Sequence, residues 1–427
     1  MSGVRCKLIK RNNLVRRCVV SLLCLGVMSS VVLSADNLSI TQTELLALQF
    51  DPLLKAQDQQ LQAYANEAIA VQAWSDPQLR IGIMDIPSDS FDINAEPMTN
   101  VLLGYQQMLP RGDTSHVLQR KKQAEQAQQQ AVIELRRREI KLNARNAWLD
   151  LYAQQQILKI LNSSSQLYAR QLDVTETLYA NGRGNQQNVL QADLELSLVD
   201  DKLEKTRSQI TESVARLVQL IGAPAEQATL DDTTALFTEI ADDNIREKML
   251  QQHPEVLMQS ANVNMEAENV VLAQQQFKPQ WGYDLSYERS DGSTIGSQAS
   301  STVSVMVLLE VPIMTGNLQE KNLAASQLRL QAQRYASQDM LLRLTYQLQQ
   351  NQARWQQLTR RLQRYDQQVL NQAQQNAQAA LKGYQSGVVS YEAMTRARNA
   401  ELDTQMQRLD LYVDKARVYA QIQYLTQ

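Results

Sequence analysis

The stretch GYQSGVVSYEAMTRARNAEL, Gly383–Leu402, sets two glycines four residues apart ahead of a run with helical character. One other stretch has the same build: LYANGRGNQQNVLQADLELS, Leu178–Ser197, repeats Tyr-x-x-Gly, then an apolar residue and an alanine at the same distances. A glycine closes each of two long runs without Gly or Pro, 69 residues from Asp113 to Asn181 and 66 from Asn317 to Lys382. At 1.5 Å per residue each run makes a helix of roughly 100 Å. Such a helix must end by reversing, and glycine admits the left-handed backbone that a reversal uses.

The prolines carry the same duplication. Pro52, Pro77 and Pro110 are followed 202 residues later by Pro254, Pro279 and Pro312, and Gly182 and Gly387 are 205 apart. Pro77-Gln78 is matched by Pro279-Gln280. The chain therefore reads as an internal tandem repeat, 36–240 and 241–427. Each half holds a helix, a strand pair (77–109 and 279–311), a long helix (113–181 and 317–382) and a further helix (185–221 and 388–424), with an equatorial segment closing the first. The shorter breaker-free runs are 24 residues each before the strands and 37 and 40 after the tips, so two short helices end to end match one long one. Ala124, Ala127, Ala131, Leu135, Leu142 and Leu149 recur at heptad-like intervals, and small residues let helices approach closely. Arg111-Gly112-Asp113 reads as a helix start capped by Asp113 or Thr114.

Two alternating segments precede each long helix. Trp281, Tyr283, Leu285 and Tyr287 alternate with Gly282, Asp284, Ser286 and Glu288; Val303, Val305, Val307, Leu309 and Val311 alternate with Thr302, Ser304, Met306, Leu308 and Glu310. The first half gives Leu79, Ile81, Ile83 and then Val101, Leu103, Tyr105 and Leu109, with polar loops Ser88–Met98 and Ser290–Gln298 at the turns. A period of two marks strands with one apolar and one polar face. No other apolar layer is available to cover that face, which points to an outer-membrane barrel. Four strands cannot close, so several copies must join; two copies would fill the barrel with side chains, and three or more leave a wet lumen.

The first 35 residues carry six Lys or Arg, no acid, an apolar run Cys18–Leu33 and then Ser34-Ala35, the build of a secretory signal peptide. The run is short for a membrane anchor, and Leu23 before Cys24 does not suit a lipid anchor. Removing residues 1–35 removes all three cysteines and leaves 36 basic against 45 acidic residues, which excludes a nucleic-acid partner. His116 and His253 stand alone, with no metal-ligand spacing or triad. There is no GxGxxG and no P-loop. No catalytic residue, metal site or cofactor is expected, and the protein is not read as an enzyme.

With these residues in place, the chain resembles the TolC-family outer-membrane efflux factors over nearly all of its length after residue 35. The resemblance rests on the Pro-Gln strand starts at Pro77 and Pro279, the strand-to-helix turns at Pro110 and Pro312, Tyr-x-x-Gly at Tyr179 and Tyr384, and Leu220-Ile221-Gly222-Ala223-Pro224. It implies an α+β membrane protein: a homotrimeric β-barrel in outer-membrane lipid, four strands per chain, continuous with a long α-helical coiled-coil tunnel across the periplasm. It also implies a periplasmic adaptor and an inner-membrane pump as partners. Carried over, the adaptor-contact tips are Tyr179, Gly182, Arg183 and Asn185, and Tyr384, Gly387, Val388 and Ser390. Asp403 and Asp410, seven apart on one helix face, are the lumen or gate candidates; solvated surface acids are the other reading.

The rival class is a periplasmic coiled-coil adaptor or scaffold without a pore, which would carry one helical hairpin between β-domain halves. The stretch Asp92–Thr99 resembles members that work with heavy-metal pumps, and Met84, Met108 and Met306 lie on or near strands. Methionine is a soft ligand suited to Cu(I) and also a common gap filler. Metal-ion efflux is the expected cargo, with organic toxicants as the alternative.

Overall fold

The computed structural model describes residues 38–93, 98–226, 230, 236–238, 248–290 and 300–427. The signal-peptide reading at 1–35, most of the equatorial segment, residues 94–97 of the Asp92–Thr99 stretch and most of the loop after Ser290 lie outside the described residues.

Helix α1, Ile40–Phe50, opens on a capping box between Ser39 and Gln42. Helix α2, Pro52–Ala70, follows at once: Asp51 accepts from the Leu54 N–H at 2.7 Å, and Pro52 occupies the first turn, where no N–H is needed. Strands β1, Gln78–Met84, and β2, Asn100–Met108, come next. Helix α3, Thr114–Ala180, runs 67 residues, and α4, Gln186–Ile221, returns beside it. The second half gives α5, Pro254–Gln275, strands β3, Gln280–Ser290, and β4, Ser300–Glu310, then α6, Gln319–Arg364, α7, Leu370–Gln385, and α8, Tyr391–Thr426.

The second long helix departs from the expected single run 317–382. A π-helical turn, Tyr365–Val369, separates α6 from α7 and holds Asp366 against Arg408 of α8 at 2.8 Å. Helix α7 also continues through Gly383. A Cβ there would lie 2.4 Å from Val389 Cγ2, so this glycine serves close approach, and the chain reverses at Gly387 instead. At the start of α3, Asp113 takes the cap position without a side-chain cap bond, while Thr114 Oγ1 donates to the Arg111 carbonyl at 2.6 Å.

The four strands form one antiparallel sheet in the order β1-β2-β3-β4, leaving β1 and β4 as open edges. Gln78 pairs with Gln106 in the first hairpin and Gln280 with Glu310 in the second. The interval between halves is thus 202 on entering the hairpins and 204 on leaving them. Gln129 and Gln333 confirm the drift, since they bond Gln57 and Gln259 from equivalent places. Gly112 therefore corresponds to Gly316, and the matching interval of Pro110 and Pro312 is two residues out of structural register.

Beside the sheet the helices lie in the lateral order α2, α3, α5, α6; toward the tips α4, α3, α8 and α7 are neighbours. The main core sits where α1, α3, α4 and α8 meet. Trp148 is fully buried there and donates its indole N–H to the Leu38 carbonyl at 2.8 Å. Of the heptad-like α3 residues, Ala131 and Leu149 are buried, whereas Ala127 is exposed; α3 is covered from several sides, so its buried stripe shifts to Ile140, Ala144 and Leu151. No described helix is long and apolar enough to cross a membrane.

Candidate functional site

The two helix reversals share one backbone plan. At the first, the Arg183 N–H donates to the Leu178 carbonyl at 2.8 Å and the Gly182 N–H to Tyr179 at 2.9 Å. At the second, Val388 donates to Gly383 at 2.9 Å and Gly387 to Tyr384 at 3.0 Å. This 6→1 pattern closes a helix with a left-handed residue, and Gly182 and Gly387 take φ of 70° and 79°. Asn185 then caps α4 by accepting from Asn188 at 2.9 Å, and Ser390 caps α8 by accepting from Ala393 at 3.3 Å. The two cap residues are interchangeable in this role.

The structure brings these two tips together. Leu178, Arg183 and Asn188 of the first face Tyr384, Val389 and Glu392 of the second across one open cleft. The paired tyrosines differ: Tyr179 is half exposed, whereas Tyr384 is buried edge-on against Tyr391, with ring centres 5.7 Å apart. Val388 is 84% exposed at the end of its turn, so the second tip presents an apolar point.

Above the cleft α3 and α8 are joined by a polar layer that sequence reasoning missed. Gln171 donates to Thr395 Oγ1 at 3.1 Å and to the Tyr391 hydroxyl at 3.3 Å, and Tyr168 bonds Asn399; beside them, within α8 itself, Arg398 pairs with Glu401 at 2.6 Å in a buried site. Their signal is polar residues at helical spacing on the buried side of α8, which becomes readable only when α3 is known to cover it. Nearer the core, Lys415 lies between the rings of Phe237 and Trp355 at 4.4 and 4.5 Å, and burial pushes its ammonium pKa down.

Asp403 and Asp410 fall on the narrow exposed stripe of α8, a helix otherwise largely covered. Neither has an ion pair among the described residues. Loss of solvent around Asp410 pushes its carboxyl pKa up, Asp414 adds to this and Arg417 opposes it.

The sheet separates its faces as the alternation requires. Ile81, Leu103, Trp281, Leu285, Val305 and Val307 are exposed on one side, at 78% for Ile81 and 74% for Val305. On the other, Arg80 reaches over Gly104 to pair with Asp284, and Asp284 and Ser286 are buried. Met84, Met108 and Met306 all lie on this polar side but in three different rows of the ladder, and the Met108 sulfur sits against Gly282, so they form no common ligand set. Among the described residues no group of three His, Cys, Asp or Glu is placed to hold a metal.

The profile of one family, described as outer membrane efflux protein, matches residues 45–223 and 245–426. The chain belongs to the outer membrane efflux protein family. A search of curated protein sequences returned no match. Among solved structures, CusC is similar at 16% identity and a TM-score of 0.76, over 90% of this chain and 91% of that one. VceC of Vibrio cholerae gives 18% and 0.74, over 91% and 96%. The open state of the MtrE outer-membrane channel of Neisseria gonorrhoeae gives 11% and 0.76, over 91% and 88%. Identities this low carry the fold alone. The efflux-protein fold thus accounts for a helical shaft ending in an apolar-faced sheet, with paired tips at the far end.

Proposed function

We propose that this protein is the outer-membrane channel of a tripartite efflux pump, a passive exit for substrates delivered by an inner-membrane transporter through a periplasmic adaptor. The observation that carries this reading is the four-stranded sheet, with its apolar face exposed, its polar face covered in part by Arg80 and Asp284, and both edges unpaired. In lipid such edges must find strands. Three copies would close a barrel wide enough for water, with the helices continuing as a tunnel through the periplasm. Two tandem repeats, 36–240 and 241–427, supply each copy.

The tips at Gly182 and Gly387 are the adaptor contacts in this reading. Asp403 and Asp410, on the exposed stripe of α8, line the narrow part of the tunnel in this reading. Heavy-metal cations are the cargo carried over from the resemblance of Asp92–Thr99. The conduit would pass them without a resident ligand set, and organic compounds are the alternative. A pore-free adaptor fits poorly, because it would leave the sheet's apolar face uncovered.

The test has two parts. Native mass spectrometry of the detergent-extracted protein should give three copies, and deletion of the gene should sensitise cells to metal salts, to organic toxicants or to both. A stable monomer, or a deletion strain with unchanged resistance to every compound, would overturn the reading.

A further inference from the structure

Three arginines follow one another on α3, Arg136, Arg137 and Arg138, and successive helical positions point about 100° apart, so each meets different surroundings. Arg136 pairs with Asp51 at 2.7 Å and Arg137 with Glu134 at 3.4 Å. Arg138 turns toward the end of α8, where its Nη1 donates to the Tyr424 carbonyl at 3.2 Å. No carboxylate pairs with it among the described residues, and its Nε is buried without a partner. Burial is the main influence on this guanidinium and pushes its pKa down, yet an arginine keeps its proton. A cation withdrawn from water with no anion beside it is costly.

A cavity of about 110 Å³ opens next to this charge, between α3, α8 and α1. Its α3 wall carries Arg138, Lys141 and Arg145, spaced so that the three side chains line one helix face. Two carboxylates also border it, but both are engaged: Glu44 by Arg145 at 2.6 Å and Glu134 by Arg137 at 3.4 Å. Arg138 and Lys141 are left without an anionic partner among the described residues. Gln423 lines the α8 side with its amide oxygen buried and unpartnered, and the same amide can present an N–H donor.

We infer that this cavity binds a small tetrahedral oxyanion of the phosphate type, held by Arg138 and Lys141, which ties the end of α8 to α3. The space equals that of roughly four waters, enough for such an ion and too little for an organic body. A planar carboxylate fits less well: Nη1 of Arg138 is taken by Tyr424 and Nε is walled in, so the two-bond fork that selects carboxylates is not on offer. Separate donors one helical turn apart suit an ion whose oxygens point in several directions. The site lies within one chain, so it stands or falls independently of the channel role proposed above.

The test is to melt the detergent-extracted full-length protein in increasing inorganic phosphate, at fixed pH and with chloride balancing the ionic strength. The melting temperature should rise and saturate in the millimolar range, as mass action requires of a ligand of the folded state. Phosphate also stabilises proteins through exclusion from their surface, but that effect does not saturate and is indifferent to a single lysine. Lys141→Gln, at an exposed position, should raise the half-saturating concentration about tenfold, the loss of one charge-assisted hydrogen bond. Arg138→Gln should abolish the saturating response, and Lys205→Gln, exposed on α4, should leave it as in the parent. A saturating response to glycerol phosphate alone, lost in Lys141→Gln, would support the site and assign its oxyanion to an organic phosphate. No saturating rise with either, or the same rise in Lys141→Gln as in the parent, overturns the site, and acetate as effective as phosphate overturns the tetrahedral assignment. Should Arg138→Gln fail to fold, Lys141→Gln decides alone.

Discussion

The Gln171 side-chain amide of α3 donates to Thr395 Oγ1 of α8 at 3.1 Å, so the two hairpins are bonded to each other above their tips. Gln171 is 2% exposed and also bonds the Tyr391 hydroxyl. Replacing it with an apolar residue of similar length leaves both hydroxyls without this donor, at about 1–3 kcal/mol for the buried groups. Gln171→Leu should therefore let the hairpins part more readily: single-channel recordings should show a larger open fraction while the native mass is unchanged. Recordings that match the parent protein would make this contact purely structural.

The tips give a second expectation. Gly387 adopts φ 79° with open space around it, so a side chain there has room but strains the backbone by about 1–2 kcal/mol. Gly387→Glu also sets a charge beside the exposed Val388 and the inter-tip cleft. The variant should assemble normally yet lose adaptor cross-linking and resistance, with Gly182→Glu behaving similarly. Gly387→Ala isolates the backbone strain, and Ser88→Glu, at the opposite end of the molecule, should be silent. Normal export by Gly387→Glu with the adaptor bound would remove the tips from the docking site.

Much of the architecture was legible because it is periodic. The alternation at Trp281–Tyr287 and Val303–Val311 located strands β3 and β4, which each extend three residues further at the loop end, and the spacing of Gly112 and Gly182 bounded α3. What escaped was set by partners. The ring of Tyr384 is buried and that of Tyr179 is not, although the two tips share a motif; the difference lies in Tyr391, which covers only the second. The Pro110 and Pro312 match concealed a two-residue change of hairpin register, since proline positions report chain length and not strand pairing. The π turn at Tyr365–Val369 contains no Gly or Pro, and its position follows the Asp366–Arg408 contact. Helix α1 was signalled by Ser39 and Gln42, a capping box that a search for long breaker-free runs passes over.

Trp148 anchors the start of the described chain. It is fully buried, stacks on Tyr152 with ring centres 5.4 Å apart, and its indole N–H is the donor to the Leu38 carbonyl. Trp148→Phe keeps an aromatic ring but strands that carbonyl and opens a cavity, a loss of about 2–4 kcal/mol. The variant should melt at lower temperature, and limited proteolysis should cut near Leu38 before any other site. Equal protease resistance at Leu38 would show that the parallel Leu38–Leu230 bridge alone holds this segment.

His253 makes stability depend on pH. Its ring is fully buried at the start of α5, Nδ1 accepts from the Glu255 N–H at 3.3 Å, and Tyr424 lies edge-on at 5.5 Å. Burial, reinforced by the nearby Arg138 charge, pushes the imidazole pKa down from 6.5 to about 4. The folded protein therefore keeps this ring neutral in a range where the unfolded chain binds a proton. The unfolded state holds more protons between those two values, so stability rises with pH across that window. The contribution is fully present above pH 6.5, is lost as the pH falls toward 4, and changes no further below; its size is up to about 3 kcal/mol. His253→Asn retains a cap acceptor and removes the titration. Melting temperatures of the parent and variant proteins, taken over a pH series, should converge as the pH falls from 6.5 to 4, with carboxylate effects cancelling in the difference. A constant difference across the series would mean that the folded protein accepts the proton on His253, and the burial argument would fail.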